Sequence, residues 1–217
     1  MLRIVFEKAT KVYEGRTVLD GVTCEFASGV TAIMGHNGSG KSTLLRLATL
    51  LEEPDAGRVR CFDASTGAEL EHGLHTRRRI SLVLPRGGLF NSSALDNAAY
   101  GLRVRGIGRA EARERGMAEL ERVGLVPRAD QNALTLSSGE SQRLAIARAL
   151  AVGPEVLMLD EPTASVDEEA CAIMEEIILG LKSGPGGLCI VMTTHDPDEA
   201  VRLADRTLRL SQGQLTF

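Results

Sequence analysis

Eight consecutive residues match the phosphate-binding pattern GxxxxGKS/T at each fixed position, in the order Gly35-His36-Asn37-Gly38-Ser39-Gly40-Lys41-Ser42. Glycines let the backbone bend so that successive N–H groups point inward, towards the oxygens of a polyphosphate. The lysine places a cation by the β- and γ-phosphates, and the serine hydroxyl that follows it is a ligand for Mg²⁺. We therefore expect a nucleoside triphosphate to bind at the following residues: Gly35, His36, Asn37, Gly38, Ser39, Gly40, Lys41, Ser42 and Thr43.

A pair of carboxylates and a histidine follow two other apolar runs. Asp160 and Glu161 come directly after Val156–Leu159, and His195 comes two threonines after Leu188–Met192. Asp160 is suited to hold Mg²⁺, a hard cation that prefers oxygen ligands and keeps several waters. Glu161 is placed to orient or deprotonate a water molecule that attacks the γ-phosphate. These residues predict hydrolysis of the bound triphosphate.

Three apolar runs must position this chemistry. Val30–Met34 leads into the phosphate loop, and the other two runs lead into the carboxylates and the histidine. Continuous apolar runs that alternate with helices are typical of strands buried on both faces of a parallel sheet. Ligands of such α/β sheets bind outside the carboxyl ends of the strands. We therefore predict an α/β fold in which all three motifs meet at one crevice, with a helix over Lys41–Leu51 behind the phosphate loop.

Composition restricts the class of protein. The chain has 217 residues, 43% of them hydrophobic, and a formal net charge of −4. That charge argues against a broad nucleic-acid-binding surface. No apolar run approaches the ~20 residues of a membrane-spanning helix, and the opening strand pattern predicts no signal peptide. Cysteines at 24, 61, 171 and 189 show no metal-ligand spacing and are interpreted as small buried hydrophobes in a reducing compartment.

The pattern along the chain predicts a single domain with an inserted part. Short strand-like runs open the chain, and a hairpin-like Leu208–Phe217 closes it, with polar Asp63–Thr76 as a surface connection. Between about 85 and 128 alanine, arginine and glutamate recur at helical spacing, so we predict a helical subdomain there. The core would then be about 1–84 and 129–217. Arginines 77–79 and those from 103 to 115 are expected on solvated faces.

A longer string gives the chain its family resemblance. Ser137 and Glu140 form a capping box that opens a helix to about Val152. The whole of 136–150, LSSGESQRLAIARAL, followed by 154–163, PEVLMLDEPT, resembles the ABC ATPase family, the nucleotide-binding subunits of ABC transporters. The resemblance covers nearly the whole chain, and the motifs stand in the family's order.

The resemblance implies a phosphate-loop core with an N-terminal antiparallel β part, and it implies ATP and Mg²⁺ as cofactors. Tyr13 is similar to the aromatic residue that stacks on adenine, and Ala164–Asp167 to the loop that communicates across a dimer. His195 is similar to the switch histidine that senses the γ-phosphate and, with Glu161, is assigned to catalysis. The signature segment contacts the γ-phosphate bound by the opposite subunit; its residues are Ser137, Ser138, Gly139 and Glu140.

Two positions depart from the family pattern. Pro85 stands where members usually carry glutamine, and proline offers neither a side-chain amide nor an N–H. Arg86 is a candidate for a substitute contact to the γ-phosphate, because its guanidinium is planar and permanently charged. Ser138 stands where glycine is more usual, and serine tolerates fewer backbone conformations. Both departures predict altered kinetics rather than lost function.

The resemblance also implies partners. These are a second ATPase subunit joined as a homodimer by ATP, a permease contacted near residues 85–105, and an external solute-binding protein. The place of action would be cytoplasmic, at the inner face of the cell membrane. Residues 44–57 and 97–107 most resemble importers of small oxyanions such as tungstate or molybdate. Three alternatives stay open: an ATPase that signals to a membrane partner in cell division or lipoprotein release, a DNA-repair ATPase, and a simple phosphate-loop kinase. The last two are disfavoured by the length and by the signature helix with His195.

Overall fold

The computed structural model describes residues 1–85, 88–164, 166–182 and 188–216. Its contacts divide the chain into two compact units. The first unit comprises Met1–Leu82, Glu155–Glu161 and Leu181–Phe217, and the second comprises Val83–Pro154 and Pro162–Gly180. The predicted helical subdomain of 85–128 thus lies in a larger compact unit, and its boundaries as a domain stay a prediction.

Strands and helices alternate along most of the chain. The strands are β1 (Leu2–Tyr13), β2 (Arg16–Phe26), β3 (Gly29–Met34), β4 (Ala56–Asp63), β5 (Glu69–Leu70), β6 (Ile80–Val83), β7 (Val156–Asp160), β8 (Cys189–Thr194), β9 (Arg206–Ser211) and β10 (Gln214–Thr216). The helices are α1 (Lys41–Ala48), α2 (Leu74–Arg77), α3 (Ala94–Val104), α4 (Arg109–Arg122), α5 (Ser138–Ala151), α6 (Glu168–Lys182) and α7 (Pro197–Leu203). Two short 3₁₀ turns, Val126–Arg128 and Ala133–Thr135, precede α5.

The N-terminal part of the first unit is a four-stranded sheet in the order β2-β1-β4-β5, with antiparallel pairing throughout. Its first hairpin turns at Glu14 and Gly15, where φ is 49° and 78°. Positive φ at both central residues is the requirement of a two-residue type I′ turn, whose twist matches that of the strands. The predicted antiparallel β part is therefore confirmed, and β1 is longer than the run Leu2–Phe6 that predicted it.

The second sheet of this unit has six strands in the order β10-β9-β3-β8-β7-β6. The strand β8 pairs in parallel with β3 on one side and with β7 on the other, as predicted. The register aligns Met34 with Thr194 and Asp160 with Thr193, so the carboxyl ends of three strands lie side by side. All residues of β7 and β8 are buried, which explains their continuous apolar runs.

Among the described residues, a hydrophobic core joins both sheets and α1 of the first unit. Phe6 and Phe26 meet edge to face at 5.8 Å, and both are fully buried. Around them pack Leu44 and Leu45 of α1, together with Met158 of β7. This core anchors α1, the helix that begins where the phosphate loop ends.

The second unit is helical. The helices α3, α4 and α5 pack against one another around Ala99, Leu102, Ala112 and Ala151. A Cβ at Gly116 would lie 3.2 Å from the backbone nitrogen of Ala99, so a larger residue would require α3 and α4 to move apart by a few tenths of an ångström. Small residues thus permit a close approach of these helices.

Three expectations about surface residues are corrected. The predicted connection Asp63–Thr76 contains the short strand β5 and most of α2, because a two-residue strand leaves too little periodicity to detect. In the first arginine run, Arg79 is 17% exposed and paired with Glu155 and Asp63. In the second run, Arg105 and Arg113 are half-buried. Arg105 donates to the carbonyl oxygen of Val152, and Arg113 donates to Asp96. Only some of these arginines therefore lie on solvated faces.

The cysteines follow the prediction at three of their four positions. Cys24, Cys61 and Cys189 are buried, whereas Cys171 is half-buried on α6. Burial raises the pKa of the thiols of Cys24 and Cys189 to about 12, and that of Cys61 to about 11. Within the described ranges, no helix combines the length and the hydropathy that crossing a bilayer requires.

Candidate functional site

The phosphate loop joins the end of β3 to the start of α1. Gly38 and Gly40 have φ of 80° and 105°, a region that side chains disfavour. A Cβ at Gly35 would lie 2.5 Å from the carbonyl oxygen of Leu210, so this glycine also permits a close approach to β9. The first N–H groups of α1 have no partner within the helix and point towards the loop. The geometry is that of an anion site at a helix N-terminus.

Lys41 is 5% exposed, and its ammonium group faces back over the loop. Its Nζ donates to the carbonyl oxygens of Gly35 at 2.6 Å and His36 at 3.3 Å. The same atom lies 3.2 Å from Oε1 of Glu161. The loop lysine and the predicted general base are thus in direct contact.

Glu161 connects two strand ends. Its carboxylate lies between Lys41 and His195, with 3.9 Å from its Oε2 to the histidine Nδ1. Its backbone has a φ of 48°, which is uncommon for a residue with a side chain and is found at strained functional positions. His195 is largely exposed, so it can meet a ligand that enters from solvent. Three predicted site residues therefore come together.

Asp160 lies one residue deeper and is 4% exposed. Its Oδ1 accepts a hydrogen bond of 2.7 Å from the hydroxyl of Thr193 on β8. Together with the Ser42 hydroxyl, its carboxylate supplies the oxygen chemistry that Mg²⁺ prefers, so these residues fit that ion. A polar ligand in the loop would also suit Ser39, because the buried Oγ of this residue has no hydrogen-bond partner among the described residues.

The remaining loop residues differ in exposure. His36, Asn37 and Gly38 are exposed, and the ring Nδ1 of His36 lies 2.8 Å from the carbonyl oxygen of Asn37. Ser42 is half-buried and Thr43 is buried on the first turn of α1.

Tyr13 lies at the end of β1, and its hydroxyl donates to the carboxylate of Glu52. Burial, followed by this hydrogen bond, raises the pKa of Tyr13. The ammonium of Lys11 lies 5.5 Å from the centre of the ring. These contacts restrict the orientation of the ring, and its stacking on adenine stays a prediction.

The signature segment lies in the second unit and begins α5. Ser137 Oγ accepts from the N–H of Glu140 at 3.2 Å, and Glu140 Oε2 accepts from the N–H of Ser137 at 2.9 Å. The predicted capping box is therefore present. The hydrogen bond from the Ser137 N–H, and then the side chain of Arg128, lower the pKa of Glu140. Ser138 is the first residue of α5 and is absent from the described non-glycine residues with positive φ, so serine fits its backbone there.

Gly139 lies against α6. A Cβ at Gly139 would stand 2.5 Å from the Cβ of Ala170, so the segment requires glycine at this position. Ala170 is held in turn, because its N–H donates to Oδ1 of Asp167 at 2.8 Å. Asp167 ends the segment Ala164–Asp167, of which Ser165 lies outside the described residues. The start of α5 and the start of α6 are thus in contact.

Pro85 is exposed just after β6, as a residue that cannot donate from its backbone. Gln142 of α5, which is 4% exposed, donates from Nε2 to the carbonyl oxygen of Leu84 at 3.4 Å. The side-chain amide of Gln142 therefore reaches the segment before Pro85 from α5, and it acts there as a hydrogen-bond donor. Arg86, the predicted substitute contact, lies outside the described residues.

Sequence reasoning missed two contributors to the site. Thr193 contacts both Asp160 and Glu161, and only the polarity of a threonine within an apolar run signalled it. Ala170 had no signal, because its effect depends on a helix crossing and not on its chemistry. The fold, together with the phosphate loop and the carboxylates of the first unit, defines a phosphate-loop protein that binds nucleoside triphosphates.

Comparisons with known proteins narrow this class. Residues 19–164 match the family described as ABC transporter. The phosphate import ATP-binding protein PstB 2 of Natronomonas pharaonis is 39% identical over 214 residues, which are 94% of this chain and 75% of that protein. The tungstate uptake system ATP-binding protein TupC of Peptoclostridium acidaminophilum is 35% identical over 215 residues, 99% of this chain and 97% of that protein. A dimeric, post-hydrolysis structure of the ATP-binding cassette MJ0796 with ADP and Pi matches with a TM-score of 0.85 and 27% identity, covering 99% of this chain and 97% of that one.

The chain therefore belongs to the ABC transporter family of ATP-binding subunits, as its motifs predicted. It is an ATP-binding protein and an ATPase. The predicted α/β cassette fold is confirmed by its structural neighbours.

Proposed function

We propose that this chain drives import of a small oxyanion through a separate membrane permease, by binding and hydrolysing ATP as a dimer. The observation that carries the proposal is the meeting of Lys41, Glu161 and His195 at the carboxyl ends of three strands, at 3.2 Å and 3.9 Å from the central carboxylate. These residues come from separate parts of the sequence. Their convergence supports a shared role at the terminal phosphate.

Each residue of the site has its own part in the proposed reaction. The loop N–H groups and the Lys41 ammonium bind the β- and γ-phosphates, and the Tyr13 ring stacks on adenine. Ser42 and Asp160 would hold Mg²⁺, which would supply positive charge to the phosphate oxygens. Glu161 accepts a proton from the attacking water, and His195 contacts the γ-phosphate.

The dimer follows from the second unit. Ser137 and the free N–H groups at the start of α5 bind the γ-phosphate held by the partner subunit. Two ATP molecules then complete the interface, so ATP promotes association of the subunits. The permease contacts an exposed apolar surface formed by Phe90, Tyr100 and Val104, in which the two aromatic rings lie 4.3 Å apart. The protein acts at the inner face of the membrane that holds the permease.

Glu161→Gln tests the reaction. This variant is expected to bind ATP but to hydrolyse it on the order of a hundredfold more slowly, because it lacks the general base and keeps the metal ligand. It is also expected to accumulate as an ATP-bound dimer, detected by light scattering. Lys41→Ala is the control that loses ATP binding. Normal hydrolysis by Glu161→Gln would contradict the assignment of the base.

Ser137 tests the interface. Ser137→Arg should prevent ATP-dependent dimer formation in the Glu161→Gln background while each monomer still binds ATP. Ser93→Arg is the matched control, because Ser93 caps α3 in the same manner, accepting from the N–H of Asp96 at 3.1 Å. Equal loss of dimer in both variants would assign the effect to helix capping alone.

Two of the relatives support the oxyanion class, since the name of one states phosphate import and that of the other tungstate uptake. The test is ATPase activity of the reconstituted subunit with its permease and an external binding protein. Tungstate, molybdate or phosphate should stimulate hydrolysis, whereas methionine should not. Stimulation by methionine alone would mean that the transported solute is an amino acid and not an oxyanion. Activity without any solute would favour signalling to a partner in lipoprotein release or cell division.

A further inference from the structure

Thr193 places a hydroxyl group inside an apolar sheet. All six residues of β8 are buried, and Thr193 has no exposed surface. A hydroxyl taken from water without a hydrogen bond is unfavourable, so its partners identify the reason for its presence.

Both partners of this hydroxyl belong to the neighbouring strand end. Oγ1 of Thr193 donates to Oδ1 of Asp160 at 2.7 Å and accepts from the N–H of Glu161 at 2.9 Å. The parallel register places Thr193 directly opposite Asp160, so the contact is built into the pairing of β7 and β8. One side chain therefore holds two consecutive residues of the site.

The two hydrogen bonds have different effects. A hydroxyl that donates to a carboxylate forms a short, charge-assisted bond, which fixes the direction of the other Asp160 oxygen. A bond to the N–H of Glu161 stabilises a backbone with a φ of 48°, and this backbone directs the carboxylate towards Lys41 and His195. Loss of the hydroxyl would free both carboxylates without changing either residue.

We propose that Thr193 is a positioning residue that orients Asp160 towards the metal and Glu161 towards the attacking water. The proposal rests on the proposed function of these two residues. Both of these hydrogen bonds join Thr193 to protein atoms, so Thr193 acts through its neighbours, as partners behind metal ligands do.

The test is Thr193→Val, which removes the hydroxyl and keeps the branched shape. The variant should lower kcat about 10- to 100-fold, as changes behind a metal ligand do. The second measurement is ADP binding with and without Mg²⁺, which reports metal positioning without hydrolysis. The gain in ADP affinity that Mg²⁺ gives should shrink in Thr193→Val and return in Thr193→Ser.

Thr31→Val is the matched control. Thr31 is buried in the adjacent strand β3, and its hydroxyl accepts a hydrogen bond from Arg206 at 3.4 Å. The control substitution therefore also removes a buried hydroxyl from the same sheet. This control should behave as the unmodified chain does. Circular dichroism checks folding, and Thr193→Ala is the second variant should Thr193→Val not fold. Normal kcat and a normal Mg²⁺ gain in the folded variant, or an equal loss in Thr31→Val, would overturn the proposal.

Asp160→Asn separates this proposal from the function on which it depends. If Asp160→Asn loses the Mg²⁺ gain but Thr193→Val keeps it, the role of Thr193 fails and the metal site stands. If Asp160→Asn also keeps the Mg²⁺ gain, the metal assignment itself fails, and the positioning role of Thr193 fails with it.

Discussion

The ammonium group of Lys41 is fully engaged by the protein. Two loop carbonyls and the Glu161 carboxylate surround it, and a phosphate that enters the loop must replace at least part of this set. The carboxylate is the charged member, so it competes most directly with a phosphate oxygen. We therefore expect Glu161 to affect nucleotide affinity as well as the reaction with water.

Glu161→Gln should bind ADP about two- to fivefold more tightly than the unmodified chain, because the competing charge at Lys41 is gone. ADP is the suitable ligand, since it has no γ-phosphate to hydrolyse. Isothermal titration measures the difference, which should decrease at high salt. Glu121→Gln, a charge-matched change on the exposed side of α4, should leave ADP affinity as it is. Unchanged affinity in Glu161→Gln would show that the ion pair does not oppose binding.

Pro85 gives a second prediction for a single residue. Proline fixes its own φ and pushes Leu84 towards an extended backbone, and it supplies no amide oxygen to a metal. Pro85→Gln should therefore raise basal ATPase or sharpen its dependence on Mg²⁺. Turnover measured against Mg²⁺ for Pro85→Gln and Arg86→Ala separates the two residues. A change in Arg86→Ala alone would assign γ-phosphate sensing to Arg86, and no change in either would place the effect in coupling to the permease.

At the scale of elements, the start of α5 is positioned by α6. The two helices approach so closely at Gly139 and Ala170 that only one of these residues can carry a Cβ. Because α6 begins directly after Asp167, the signature segment lies against the helix that follows this segment.

Gly139→Ala should destabilise this contact, by roughly 1–3 kcal/mol as overpacking does in well-packed sites. The melting temperature and ATP-dependent dimer formation should both fall. The double variant Gly139→Ala with Ala170→Gly should recover both, because the added methyl then occupies the vacated space. Failure of the second change to rescue the first would mean that the loss comes from the backbone of Gly139 and not from its neighbour.

The sequence identified the elements that carry chemistry at their ends and missed the contacts between elements. Phosphate loop, carboxylates and His195 were predictable, because each motif follows an apolar run whose strand end fixes its place. The links from Thr193 to Asp160 and from Gly139 to Ala170 depend on strand register and helix crossing, which no local pattern encodes. Tyr13 was predicted from resemblance alone; the structure shows its contact with Glu52, and its stacking on adenine stays a prediction.

At the scale of the first compact unit, an ion-pair network ties the starts of β6 and β7 together. Arg79 donates to both carboxylate oxygens of Glu155 at 2.5 and 2.7 Å, and to Asp63 at 3.3 Å. Its own carbonyl accepts from the N–H groups of Glu155 and Val156. The N-terminal ammonium lies 3.5 Å from the same glutamate.

This network should make stability depend on acid. The side chain of Arg79 lowers the pKa of Glu155, and hydrogen bonds from Ser65 followed by Arg79 lower that of Asp63. A carboxyl with a depressed folded pKa stabilises the protein above its unfolded value, about 4, and loses that contribution as the pH falls towards the folded value. Arg79→Met should therefore lower the melting temperature at pH 7 by several degrees, and by less at pH 3.

The control for Arg79→Met is Arg77→Met, because Arg77 lies two residues away and is exposed. It should shift the melting temperature little at either pH. An Arg79→Met deficit that is as large at pH 3 as at pH 7 would mean that packing, and not ionised carboxylates, provides the stabilisation.

The distribution of thiols described above makes the folded chain selective towards alkylating reagents. Thiolates react and thiols do not, so buried groups with a pKa of about 11 to 12 are almost entirely unreactive at neutral pH. Cys171 differs in being half-buried on α6, one residue from Ala170. A fluorophore coupled under native conditions would thus be directed to the helix that supports the signature segment, without removing any native cysteine. Its emission would report how that helix responds when subunits associate, and uptake of further dye would mark unfolding.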